Sequence, residues 1–228
     1  MSKVWYLKQV NIFKGLSDDD LNRLASNVRE KTFGRKEIIF FPEDPGDRVY
    51  FIKTGLVKLA KISPAGKEMT IAILEPGEIF GDLDIINESR RDTLAQAIID
   101  TQVITVSKRE FEKFVHSTPD LCGRISRKMA KRVRELEEQI EDIVFKDVPG
   151  RLASLIFRLL AKYSKDHTKG RQVDIRLTHQ EIANLIGATR ETTSLNLSRL
   201  KQEGLITFDD HKVIVLDEER LNRLRTET

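Results

Sequence analysis

Arg190 and Glu191 stand side by side in the stretch LTHQEIANLIGATRETTSLNLSRL, with Thr189, Thr192 and Ser194 around them. A guanidinium presents two parallel N–H donors that fit the O6 and N7 acceptors of guanine, and a carboxylate accepts from the amino group of cytosine. Hydroxyl and amide side chains nearby, including Thr178 and Gln180, suit contacts to phosphate oxygens and base edges. These residue types offer recognition of a DNA groove. The competing reading is that the two charges belong to an ordinary solvated helix face. Groove recognition requires them at the start of a rigid rod small enough to enter it.

The neighbouring residues supply such a rod. Thr178 is placed to cap a helix and Glu181, three residues on, completes a capping box. Ile182, Leu185 and Ile186 follow at helical spacing and define a face to bury, and Gly187 predicts the turn that ends the run. Thr189 caps a second helix whose inward stripe is Thr193, Leu197 and Leu200, which leaves Arg190, Glu191, Ser194 and Asn196 mostly on the other side. Two short helices joined by a glycine-bearing turn describe a helix-turn-helix. The segment QEGLITFDDHKVIVLD then predicts a hairpin or wing, with a turn at Asp209–His211, a strand at Val213–Leu216, and Lys212 at the tip to meet a phosphate.

On these residues the chain resembles the cyclic-AMP receptor protein/FNR family of bacterial transcription regulators. Arg190–Thr192 is similar to that family's recognition-helix signature, and DVPGRLASLIF at Asp147–Phe157 is similar to its domain hinge. The resemblance implies a homodimer on double-stranded DNA, with RNA polymerase as a further partner reached through the polar loop SKDHTKGRQ. One position departs: where the family often has a second base-reading arginine, this chain has Leu195, which can touch a thymine methyl but cannot read guanine.

Composition bounds the rest. At 228 residues the chain can form two modest domains, and 33% charged residues against 39% hydrophobic ones describe a globular protein. No apolar run approaches the roughly 20 residues of a membrane span and MSKVWYLKQV is not a secretory signal, so a cytoplasmic location without membrane contact is expected. The single cysteine, Cys122, excludes an internal disulfide framework and leaves a cysteine-ligated iron–sulfur cluster short of its roughly four thiolates. A net charge of +3 permits nucleic-acid binding without requiring it.

Residues 4–30 read as a short helical lead-in. From about Lys31 to Ser107 the runs EIIFF, RVYFIKT, LVKLAKI, EMTIAIL, TLAQAII and TQVITVS alternate with glycine- and proline-bearing turns, which predicts an antiparallel jelly roll within an α+β chain. The patterns FPEDPGDRVYFIKTGLVKL and PGEIFGDL resemble the family's cyclic-nucleotide-binding domain. That resemblance puts Gly81 and Leu83 at a phosphate-binding turn, Asp82 at the ribose acid and Arg91 at the phosphate arginine. Asp92 stands where cyclic-AMP readers have a small hydroxyl residue, and its carboxylate would repel a phosphate. Leu136 and Glu137 stand where hydroxyl residues reach adenine. These departures argue against cyclic AMP and leave a small effector of another identity, or an Asp82–Arg91 structural ion pair across an empty pocket. A metal-holding cupin enzyme is disfavoured because His116, His167, His179 and His211 all lie outside the strands, and no catalytic constellation is legible.

Beyond Lys108 the period becomes helical. In PDLCGRISRKMAKRVRELEEQIEDIVF, residues Cys122, Ser126, Met129, Val133, Leu136, Ile140 and Ile143 alternate four- and three-residue steps, the seam of a two-stranded coiled coil. The expected organisation is an effector-sensing β-roll domain over 1–118, a dimerisation helix over 119–145 and a winged helix-turn-helix domain over 146–228. Residues 146–150 form the hinge, because Pro149 and Gly150 interrupt the helix. A ligand-independent regulator and a module that docks on protein instead of DNA remain as other readings.

Overall fold

The lead-in of the computed structural model, which describes residues 3–81 and 90–226, consists of α1 (Lys3–Gln9), a single 3-10 turn (Asn11–Phe13) and α2 (Asp18–Ala25). Ser17 caps α2 by accepting from the Asp20 N–H, as the Leu16-Ser17-Asp18 sequence predicts. Eight strands follow: β1 (Arg29–Phe33), β2 (Ile38–Phe40), β3 (Arg48–Thr54), β4 (Val57–Ile62), β5 (Glu68–Leu74), β6 (Ile79–Phe80), β7 (Leu94–Ala97) and β8 (Thr101–Ser107). They form two antiparallel sheets, ordered β1-β8-β3-β6 and β2-β7-β4-β5, which is the expected jelly roll.

Alternation along β3 builds two cores at once. Tyr50 and Ile52 point between the sheets, where they meet Phe33, Phe40, Val57, Leu59, Phe80, Ala95 and Val103. Val49 and Phe51 point the other way, into a second cluster with Leu7, Phe13, Leu21, Leu24, Ile104, Val106, Phe111, Phe114 and Leu121. Period-two side chains make a strand apolar throughout when both of its faces are covered. The lead-in is thus the outer cover of one sheet. Each of these fully buried Leu, Ile and Phe side chains contributes about 1.5–3 kcal/mol.

Helix α3 (Lys108–Ser117) is capped by Ser107, and α4 (Pro119–Phe145) runs 27 residues, about 40 Å at 1.5 Å per residue. The chain divides into two compact units, residues 1–132 and 133–228. In the second unit lie α5 (Val148–Tyr163), β9 (Ser164–His167), β10 (Gly170–Val173), α6 (His179–Ile186), α7 (Arg190–Gln202), β11 (Ile206–Asp209), β12 (Lys212–Val215) and α8 (Glu218–Thr226). The sheet order here is β11-β12-β10-β9. SKDHTKGRQ is therefore a hairpin continuing the wing sheet and not the open loop expected from its polarity, with His167 opposite Gly170 and Lys165 opposite Gln172.

The interruption between α4 and α5 is shorter than the sequence suggests. Only Lys146 and Asp147 leave helical geometry, and Pro149 and Gly150 lie in the first turn of α5. A proline there lacks only an N–H that would have had no helical partner. Asp147 caps the helix by accepting from the Gly150 N–H at 2.9 Å. Across this junction Asp142, buried on α4, accepts from Lys146 Nζ at 2.7 Å and from Arg158 of α5.

Burial alone would raise the Asp142 pKa; the hydrogen bonds and charges of Lys146 and Arg158 more than reverse this and hold it below the ordinary 3.8. A depressed carboxylate contributes stability above its unfolded pKa and loses it as pH falls through the folded value. The second unit should therefore lose stability below about pH 4. The measurement is the thermal midpoint of wild type and Asp142→Asn from pH 7 to pH 2.5, where the gap between the two proteins should narrow as the pH drops. A gap that is independent of pH would refute the assignment.

Candidate nucleic-acid interface and effector cassette

The helix-turn-helix is built as its sequence implies. Thr178 Oγ1 accepts from the Glu181 N–H at 3.2 Å, and the Glu181 carboxylate accepts from the Thr178 N–H at 2.6 Å, so the capping box is complete. Gly187 ends α6 at φ 65°, a left-handed geometry that glycine adopts without steric cost. Thr189 caps α7 by accepting from the Thr192 N–H at 3.2 Å. Ile182, Leu185, Ile186, Thr193, Leu197 and Leu200 are all buried.

Packing on that side fixes what faces out. Arg190 and Glu191 are exposed, and among the described residues neither side chain has a hydrogen-bonding or ionic partner. Charges needed for structure would be paired. Leu195 is 72% exposed, the most exposed large apolar side chain among the described residues. Thr178, Gln180 and Thr189 are exposed and Thr192 is half-buried. Gln180 also donates to Asn184 at 2.8 Å, a bond along α6 that orients it.

Two members of the expected set have other engagements. Ser194 Oγ lies 2.8 Å from His179 Nδ1, so this hydroxyl ties the start of α6 to the middle of α7. The His179 ring also lies 6.3 Å from that of Phe208 on the wing. Lys212 is corrected as a free phosphate contact: its ammonium is bound to the Asp174 carboxylate, and the side chain is only 25% exposed. The same hydrogen bond from Lys212 holds Asp174 below the ordinary carboxylate range. The wing tip is instead Asp210 and His211, with φ of 46° and 60°, and Asp210 pairs with Arg176.

In the roll, Asp82 and Leu83 lie outside the described residues. Gly81 sits at φ 72°, and a Cβ there would come within 2.7 Å of Arg91 Nη1. Arg91 is 1% exposed. Its Nη1 donates to the Gly81 carbonyl at 2.9 Å, its Nη2 to the Arg48 carbonyl, and its guanidinium lies 4.5 Å from the centre of the Phe40 ring. Tyr50 is stacked on Phe80 beside it, and burial holds the Tyr50 phenol above its ordinary pKa of 10.0 against the opposing charge of Arg91. Asp92 is corrected: its side chain is exposed, and its carboxylate meets Lys61 at 2.7 Å. It is not aimed at Arg91's cassette.

On α4, Val133, Leu136 and Ile140 are 53%, 37% and 59% exposed. Cys122, Ser126 and Glu137 are exposed and Met129 is half-buried. Ile143 is corrected as a fully outward seam position: it is half-buried, its Cδ1 3.5 Å from where a Cβ on Gly187 would stand. Val144, four residues after Ile140, continues the outward stripe at 64% exposed.

A β-roll of this topology in one chain with a winged helix-turn-helix defines a DNA-binding transcription regulator. Residues 30–118 match the cyclic nucleotide-binding domain family, and residues 150–224 match the Crp-like helix-turn-helix domain. The chain is 30% identical to the CRP-like cAMP-activated global transcriptional regulator of Mycobacterium tuberculosis, covering 95% of this chain and 97% of that protein. It is 33% identical to the global nitrogen regulator of Synechocystis over 81% of this chain and 83% of the relative. The c-di-GMP-responsive regulator CLP of Xanthomonas campestris has the same fold, with a TM-score of 0.79 at 20% identity over 88% of this chain and 100% of that one. The chain belongs to the CRP/FNR family of transcription regulators. These relatives are named as regulators, and among the described residues no helix is long and apolar enough to cross a membrane.

Proposed function

We propose that the protein acts as a homodimer that reads a near-palindromic operator through the first turn of α7 in each subunit, with a small effector in the roll biasing the DNA-competent state. The observation that carries this reading is the pair Arg190 and Glu191, exposed and without a side-chain partner among the described residues at the start of a capped, packed helix. In a two-fold dimer the recognition helices would meet half-sites about 34 Å apart. The apolar stripe Val133, Leu136, Ile140 and Val144 supports pairing, because four large side chains on one helix face are otherwise left in water. The division of labour is 1–118 for sensing, 119–145 for dimerisation and 146–228 for DNA, with a turning point near 146–150.

The effector is a separate matter. Relatives of similar identity are named for cyclic AMP in one case and for nitrogen in another, so family membership does not select the ligand. We hold cyclic AMP apart, because Leu136 and Glu137 bring no hydroxyl to an adenine; the solvent-facing Asp92 no longer argues either way. RNA polymerase is the further partner that a transcription regulator of this family would meet, in the cytoplasm.

Selection of binding sites from random duplexes tests the reading, and enrichment of a two-fold-related pair of half-sites is expected. On the selected duplex Arg190→Ala should weaken binding by about 1–3 kcal/mol and relax the choice at one base pair per half-site. The affinity of both proteins should fall steeply with salt as phosphate contacts are lost. Equal losses for Arg190→Ala on selected and random duplexes would remove the base-reading role.

A further inference from the structure

Along α7 the hydroxyl and amide side chains are largely taken up by the protein itself. Ser194 Oγ lies 2.8 Å from His179 Nδ1, Ser198 Oγ donates to the Ser194 carbonyl at 2.9 Å, and Asn196 Nδ2 donates to the Thr192 carbonyl at 2.9 Å. Thr192 Oγ1 is 2.9 Å from Thr189 Oγ1. Beyond Arg190 and Glu191, the side chain that the outward face presents is apolar: Leu195, 72% exposed, four residues after Glu191. At about 100° per residue Glu191 and Leu195 lie within about 40° of each other and roughly 160° from the buried stripe of Thr193, Leu197 and Leu200. A helix seated by that stripe carries the leucine where it carries the carboxylate.

A single exposed leucine is ordinary on a protein surface, but apolar side chains that bind protein come in patches. The helix neighbours of Leu195 at three- and four-residue spacing are Glu191, Thr192, Ser198 and Arg199, all polar. It has no apolar company on its own helix. In the major groove the features that distinguish base edges are hydrogen-bond donors and acceptors, with one apolar exception, the C5-methyl of thymine. A cytosine amino group in the same place would lose its water to a side chain that cannot accept its hydrogen. Leucine thus attracts one pyrimidine and penalises the other.

We infer that Leu195 is a specificity-determining residue that seats on the methyl group of one thymine in each half-site. This role rests on α7 entering the groove as proposed for Arg190 and Glu191, and it adds an apolar contact to a set otherwise made of charge and hydrogen bonds. Five residues of helix rise about 7.5 Å and base pairs stack about 3.4 Å apart, so the thymine should lie within about two or three base pairs of the pair read by Arg190.

The test uses the full-length protein and the operator selected from random duplexes, its thymines replaced one at a time by deoxyuridine. This removes the methyl group and keeps every hydrogen-bonding group of the base. At one thymine within that range, at the symmetric position of each half-site, wild-type affinity should fall about three- to fivefold per half-site, the worth of one methyl-sized apolar group. Leu195→Ala should bind the thymine duplex more weakly and no longer distinguish thymine from uracil at that position. Its thermal midpoint should match the wild type because the side chain is exposed. If the wild type tolerates uracil throughout that range while Arg190→Ala still relaxes the choice at its own base pair, the role of Leu195 alone is overturned. Methyl sensitivity that survives in Leu195→Ala would overturn it equally. Failure to enrich any duplex would overturn it together with the groove-entering role of α7.

Discussion

Arg91→Ala should lower the unfolding free energy of the first unit by about 3–5 kcal/mol, read as a shift of the urea midpoint. The wild-type side chain is among the largest that are fully buried, and its guanidinium donates to the Gly81 and Arg48 carbonyls while covering the Phe40 ring. Truncation leaves a cavity and two buried acceptors without these donors, and the second effect alone costs about 1–3 kcal/mol per group. Arg91→Lys should recover less than half of the loss, because one ammonium on a flexible stem cannot reproduce a planar fork bridging two carbonyls. An Arg91→Ala protein with an unchanged midpoint would mean that this residue serves a ligand alone.

The second large effect belongs to α4. Val133→Glu combined with Ile140→Glu should give a folded monomer by analytical ultracentrifugation, since side chains already 53% and 59% exposed contribute little to the fold of one chain. Affinity for the selected operator should fall at least a hundredfold, roughly the range lost when two linked contacts become independent. A variant that sediments as a dimer would place the pairing surface elsewhere. One that is monomeric yet binds the full operator as wild type would separate dimerisation from recognition.

The helix-turn-helix was legible because every one of its signals is local. The Thr178–Glu181 capping box, Gly187 and the Thr189 cap each act within three or four residues, and the buried stripes repeat at helical spacing. The jelly roll was legible from its apolar strands, but two strands escaped. In β1, REKTF, only Phe33 is buried, so hydrophobic patterning is silent and β8 alone supplies its pairing. β6 is only two residues long.

Long-range polar pairings were not legible at all. Nothing local links Lys212 to Asp174, 38 residues away, or His179 to Ser194, 15 away, because such bonds exist only once the sheet and helices have assembled. The polarity of SKDHTKGRQ hid an exposed hairpin for the same reason: its partner strand β12 lies some 40 residues further along. The wing turn adopts positive φ at Asp210 and His211 without a glycine. In the cassette, the burial of Arg91 against the Gly81 carbonyl and the pairing of Asp92 with Lys61 depend on tertiary contacts that residue types alone did not reveal.

Ile143 and Val144 are consecutive on one rigid rod, the first turned toward Gly187 and the second toward solvent. An axle gripped by different hands at adjacent points transmits torque: in the proposed dimer, rolling α4 to re-mesh its outer stripe would drag Ile143 across the glycine that joins α6 to α7. In that dimer the register of the helix pair and the seating of the reading head would thus be geared together, with no need for a flexible spring between them.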